Sequence, residues 1–271
     1  MTIQPIIDEL EQRLQTRDEK PFSVIRELLD MLRIHDADEN GQSHTEGHAR
    51  RSGMYLGVLY DQMLGDERFA KKLTGIDRSE VMIAGHLHDI GKLIVPSEVI
   101  TSPHKLTDEE RILMEGHTEQ GADILEAVLQ HEGLSATMNE REKSAFRIAQ
   151  DMADTHHARY DGKGYPPDLA GRRIPIVGRM MAVADVYDAL TSERSYRKPE
   201  SHEEVCKKIN EDAGTRFDPQ ITEIFMKSNE AVKEMKETIA RRKQAKIAAA
   251  EAAAAGISAA AADSEPDSGK Q

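Results

Sequence analysis

The sequence predicts an all-α protein. Apolar residues recur at helical spacing along nearly all of its 271 residues, no run alternates convincingly with a period of two, and Ser/Thr-x-x-Glu patterns head two of the apolar segments. Hydrophobic residues make up 38% of the chain but aromatics only 4%, with no Trp and twelve Met, so the core must be largely aliphatic.

Residues 1–40 read as two amphipathic helices separated at Pro21 and Phe22, with Ile25, Leu28, Leu29 and Leu32 on one face of the second. The polar stretch DADENGQ, 36–42, is a connection. Ser43 with Glu46 has the form of a capping box and predicts a helix from Ser43 to about Leu64. The next helix leads through VMIAGHLHD to an end near Gly91. Thr107 with Glu110 opens a long helix over about 108–129, and QHEGLSATMNEREK, 130–143, reads as an extended connection. Helices are expected at 141–158 and 176–192, on either side of DGKGYPPDLAGRRIP, whose Gly and Pro content excludes regular structure. Beyond Ile221 a charged helix grades into an Ala-rich tail with no large side chains to bury, expected to fray into a disordered end. The resulting division is an N-terminal helical extension (1–42), a central domain (43–228), and a C-terminal charged helix with its tail (229–271).

The formal net charge of −13 argues against a general nucleic-acid or anionic-membrane surface. Cys206 is the single cysteine, which excludes an internal disulfide and a thiolate zinc cluster. No segment reaches the roughly 18 apolar residues of a spanning helix, and MTIQPIIDELEQR has no apolar signal core, so a soluble cytoplasmic protein is expected.

Candidate chemistry lies in the histidines. His88 adjoins Asp89, His156 adjoins His157, His44 and His48 are one helical turn apart, and His117 and Asp185 sit on further predicted helices. Imidazole nitrogen with carboxylate oxygen and no sulfur suits iron, manganese, nickel or zinc. Any one of these histidines, taken alone, is more simply a hydrogen-bonded polar group near a core.

Taken in order, HTEGHARR (44–51), HLHDIGK (86–92), MEGHTEQGADIL (114–125), HHARYDGKGYP (156–166), RMMAVADVYDALTSERSYR (179–197) and FDP (217–219) resemble the HD-GYP family, a branch of the HD phosphohydrolases that hydrolyses cyclic di-GMP in bacterial signalling. The resemblance covers about two thirds of the chain, residues 43–228, and implies an HD-domain helical bundle. It implies His48, His88, Asp89, His117, His156, His157 and Asp185 as ligands of two divalent ions, iron or manganese, with Asp89 bridging them. Lys92, Arg194 and Arg197 would bind the scissile phosphate, and Tyr165 would form part of the GYP loop that borders the pocket and contacts signalling proteins. Hydrolysis to pGpG, and onward to GMP, through a metal-bridging hydroxide is the implied reaction, with Asp89 and Lys92 at its centre. Two divalent ions, two aspartates and one hydroxide sum to about +1, which suits one phosphodiester anion.

Two positions depart from the family. His44 stands where a glutamate of the third metal site is common, so the count of two or three ions stays open, His44 being itself a candidate nitrogen ligand at i, i+4 from His48. Ala158 replaces the glutamate of an HHE motif, which removes an orienting partner and predicts lower activity or altered metal preference. The alternatives are a weak or inactive module that binds cyclic di-GMP or a partner protein, and an HD phosphohydrolase for another nucleotide. His35, His104, His131 and His202 have no family counterpart and read as polar surface residues, His86 as a residue that packs or meets solvent, Asp161 as a turn residue, and Asp188 as ambiguous. The amphipathic N-terminal pair makes a homodimer an expectation.

Overall fold

In a computed structural model, which describes residues 2–15, 23–37, 45–192 and 198–262, the chain is helical with no named strand among the described residues. The helices, in chain order, are α1 Gln4–Gln15, α2 Ser23–His35, α3 Thr45–Leu64, α4 Glu67–Ala70, α5 Arg78–Leu87, α6 Ser97–Ile100, α7 Asp108–Glu115, α8 His117–Gln130, α9 Glu132–Ala136, α10 Glu140–Thr155, α11 Ile176–Thr191, α12 His202–Glu211, α13 Pro219–Lys227 and α14 Asn229–Ala262. A 3-10 turn, Ile90–Ile94, follows α5. The all-α expectation holds. None of the described helices is long and apolar enough to cross a membrane.

Local sequence explains several of the starts. Asp77 with Glu80, Thr107 with Glu110, Asn139 with Glu142, and Ser201 with Glu204 each form a full capping box, satisfying amide groups that a helix N-terminus leaves unpaired. The Ser43–Glu46 box expected ahead of α3 lies outside the described residues, as does the turn at Pro21 and Phe22. The helix expected over 108–129 is two helices, because the chain breaks at Gly116 and restarts with His117 as the first residue of α8. The helix expected to reach Gly91 stops at Leu87, and the remainder tightens into the 3-10 turn. The connection at 130–143 contains α9, which the His131 side chain caps by accepting from the Leu134 amide at 3.3 Å.

The chain divides into two compact units, one ending at Asn229 and the other starting at Glu230. In the first, α3, α5, α8, α10 and α11 pack on one another around a buried core that includes Leu56, Leu59, Val81, Ile124, Leu125, Phe146, Met152, Met180 and Val183. α11 is the innermost helix: thirteen of its sixteen residues are buried, polar ones included. The second unit is carried by the charged, then Ala-rich, helix that α14 continues to Ala262.

The FDP block has a structural explanation. Asp218 caps α13 by accepting from the Gln220 amide at 2.8 Å, and it also receives Nη1 of Arg179, from α11, at 2.5 Å. Arg179 Nε donates to the Ile174 carbonyl at 2.9 Å. Both charges are buried, so removing one strands the other. Asp218→Ala is therefore expected to lower unfolding stability by about 3–5 kcal/mol in urea titration; a loss below about 1 kcal/mol, the worth of an exposed pair, would show the ion pair to be solvated.

Candidate metal centre

The grouped histidines and aspartates come from five elements that meet at one place. His48 lies on α3, His88 is the C-cap of α5 and Asp89 precedes the 3-10 turn, His117 opens α8, His156 is the C-cap of α10 with His157 next to it, and Asp185 lies on α11. Helix ends therefore deliver most of the set. The close approach of the 3-10 turn to α8 depends on glycine. A Cβ on Gly91 would collide with the His117 carbonyl and sit 2.5 Å from the Gly121 nitrogen, so a larger residue would push Asp89 away from His117.

Hydrogen bonds on the far side of three rings fix their tautomers. His88 Nδ1 donates to the Gly85 carbonyl at 2.8 Å, His117 Nδ1 to Met114 at 2.5 Å, and His156 Nδ1 to Met152 and Ala153, both at 2.9 Å. A carbonyl only accepts, so the proton sits on Nδ1 and Nε2 keeps its lone pair. Those Nε2 atoms converge on Asp89: His117 lies 3.3 Å and His156 3.8 Å from Oδ1, and His88 lies 3.4 Å from Oδ2. His48 differs in having a carboxylate at each nitrogen, with Nδ1 2.7 Å from Asp188 and Nε2 3.0 Å from Asp185.

The electrostatics match a site built for cations. Burial lowers the His156 pKa well below the ordinary value and takes His157 down to about 3, so both rings are neutral donors. Burial opposes charge on His48 too, but Asp185 and Asp188 outweigh it and push its pKa up to about 9. Burial would raise Asp89, yet Lys92 and His88 hold it well below the usual carboxylate range; Asp185 is likewise held down against its burial, chiefly by His48. His88 Nε2 is buried with no hydrogen-bond partner among the described residues, an arrangement that costs free energy unless something else occupies its lone pair. Two groups have donor atoms that all lie within 4.8 Å of one another, His48 with His88 and Asp89, and His117 with His156 and His157. Nitrogen and oxygen donors in this number suit first-row divalent metals, and the residues present fit such ions.

Lys92 reaches Asp89 Oδ2 at 2.6 Å and is part-buried. The Tyr165 ring lies against His157, with centroids 4.8 Å apart. His44, Arg194 and Arg197 lie outside the described residues. Asp188, ambiguous in sequence, is completely buried and receives both His48 Nδ1 and a two-pronged contact from Arg51 at 2.7 and 2.9 Å. Its position three residues past Asp185 signalled a shared helix face, but Arg51 carried no signal. His86 packs against α3 at Gly53, and burial lowers its pKa to about 4. Asp161 is the turn residue expected, accepting from Arg159 and from the Lys163 amide. His202 is corrected: rather than lying at the surface it is buried, bonded to Tyr187 and Asn229, because α12 turns it inward. Ala158 is buried as well.

Residues 69–221, more than half of the chain, match the family model described as HD domain. The chain belongs to the HD domain family. Its similarity extends to a cyclic di-GMP phosphodiesterase of Vibrio cholerae, 37% identical over 188 residues that make up 69% of this chain and 37% of that protein. A cyclic di-GMP phosphodiesterase of Thermotoga maritima is 34% identical over 206 residues, 76% of this chain and 49% of the relative. The 3'3'-cGAMP-specific phosphodiesterase 2 of Vibrio cholerae is 33% identical over 194 residues, 70% of this chain and 33% of its own length. The HD domain chain thus spans between about a third and a half of these curated relatives, whose names agree with the HD-GYP pattern of its motifs. Asp188→Ala would leave His48 Nδ1 and Arg51 without their acceptor, and Mn2+ affinity measured by calorimetry is expected to fall about 10–100-fold; unchanged affinity would mean that Asp188 does not orient His48.

Proposed function

We propose that this HD domain is a metal-dependent phosphodiesterase that hydrolyses cyclic di-GMP to pGpG. The observation that carries the reading is the convergence of Nε2 lone pairs on Asp89, each ring fixed from behind by an Nδ1 hydrogen bond. Such preorganisation serves a bound cation and has no evident use in a plain core. In this reading His48, His88 and Asp89 would hold one ion, His117, His156 and His157 would hold the other, and Asp185 would complete the set. Iron or manganese fits the mixed nitrogen and oxygen donors. When bound, two such ions supply Lewis acidity and an activated water nucleophile.

The chain's own groups do the rest. Asp89 presents one oxygen to each donor group, which fixes their separation. Lys92 offers a part-buried cation beside Asp89, placed to bind a phosphate oxygen and to offset charge gathering there. Arg194 and Arg197 are assigned the same substrate, and so is Tyr165, whose ring lies against His157. The relative named for 3'3'-cGAMP makes that dinucleotide the natural competitor substrate.

The purified chain, loaded anaerobically with Fe2+ or with Mn2+, is expected to convert cyclic di-GMP to pGpG or GMP by chromatography, faster than it converts 3'3'-cGAMP, and to stop when chelated. Asp89→Ala should fall to the chelated background. Wild-type turnover by the Asp89→Ala variant would sink the metal scheme, and tight cyclic di-GMP binding without any product from the metal-loaded wild type would make the domain a sensor.

A further inference from the structure

The 3-10 turn that carries Lys92 and follows Asp89 is anchored by a residue outside the matched HD domain segment. Its backbone is a relay: the Lys92 amide donates to the Asp89 carbonyl at 3.0 Å, the Val95 amide to the Lys92 carbonyl at 3.1 Å, and His35 Nε2 to the Val95 carbonyl at 2.7 Å. The last acceptor in this chain is a buried residue's carbonyl at the C-cap of the turn, where helical bonding has run out. A side chain arriving from elsewhere satisfies it, that of His35, the last residue of α2.

The rest of α2 supports that contact. Val24, Ile25, Leu28, Met31 and Leu32 are buried, and α2 packs against the 3-10 turn, α3 and α5. A five-residue 3-10 turn has poorer hydrogen-bond geometry than an α-helix, so its shape depends on such outside support. Asp89 meanwhile must keep both oxygens within reach of three imidazoles.

We propose that His35 is a positioning residue for the metal centre, holding Asp89 and Lys92 through the backbone of the 3-10 turn, so that the site is competent only when α2 is docked. The proposal rests on the metal-site reading but not on the identity of the substrate. It gives the N-terminal helices a role in the site itself: an event that shifts α2 would be felt at Asp89 without any ligand residue changing.

The test compares two variants of the full chain. His35→Phe keeps a ring of similar size and removes the donor, whereas His35→Gln keeps an N–H donor. Mn2+ affinity by calorimetry, hydrogen exchange at the Lys92 and Val95 amides, and melting of the metal-free chain are measured with each. The expected result for His35→Phe is Mn2+ binding about tenfold weaker and faster exchange at both amides, with His35→Gln recovering to within about twofold of wild type. If hydrolysis is observed, kcat/KM should fall together with Mn2+ affinity in His35→Phe and recover with it in His35→Gln. Wild-type Mn2+ affinity and exchange in His35→Phe would overturn the proposal. So would equal impairment of both variants accompanied by equal loss of melting temperature, which would reduce His35 to a packing residue. A wild-type chain that binds Mn2+ but turns over no cyclic dinucleotide would sink the activity reading and leave this test intact.

Discussion

Asp89 is the residue on which the arrangement of the centre depends. A carboxylate taken out of water is costly, and burial alone would protonate it. It stays ionised because Lys92 and His88 lie beside it and His117 and His156 close the other side. The same charge keeps several imidazoles, which would otherwise be awkward neighbours in a core, gathered at the meeting of five elements. Removing the charge would leave a cluster of buried lone pairs facing one another.

Around that charge the fold works by ending helices in the right places. α5 and α10 stop at the residue before a histidine, and α8 starts on one, so the side chains emerge where the backbone is changing direction. Glycine at 91 lets two main chains come closer than any side chain would allow. α11, buried on nearly every side, brings Asp185 and Asp188 in from beneath, and Arg179 with Asp218 ties its first turns to α13. Geometry at the centre is thus inherited from the packing of the whole bundle.

The helical class and the grouped residues were legible because both are written in local patterns, apolar spacing in one case and ordered His/Asp blocks in the other. The break at Gly116 was not, since glycine within an apolar stretch is compatible with a continuous helix and only contacts across the bundle decide the matter. α12 was missed although Ser201 and Glu204 spell its capping box; the flanking charges obscured a short apolar face of Val205, Cys206 and Ile209. Asp188 was visible as a helical neighbour of Asp185, but its partners, His48 and Arg51, lie 140 and 137 residues away in sequence. Likewise nothing local announces that His35 reaches Val95, 60 residues on.

The carbonyls that orient the rings, those of Gly85, Met114, Met152 and Ala153, belong to terminal turns, but only Met114 sits in a helix with no buried residue. Orientation of His117, held by an exposed turn, is therefore less durable than that of His88 and His156, held by buried ones. On warming, fraying of the last turn of α7 would let the His117 ring rotate while Leu56, Phe146, Met152 and Met180 remain packed, so that one donor can be lost at a lower threshold than the fold.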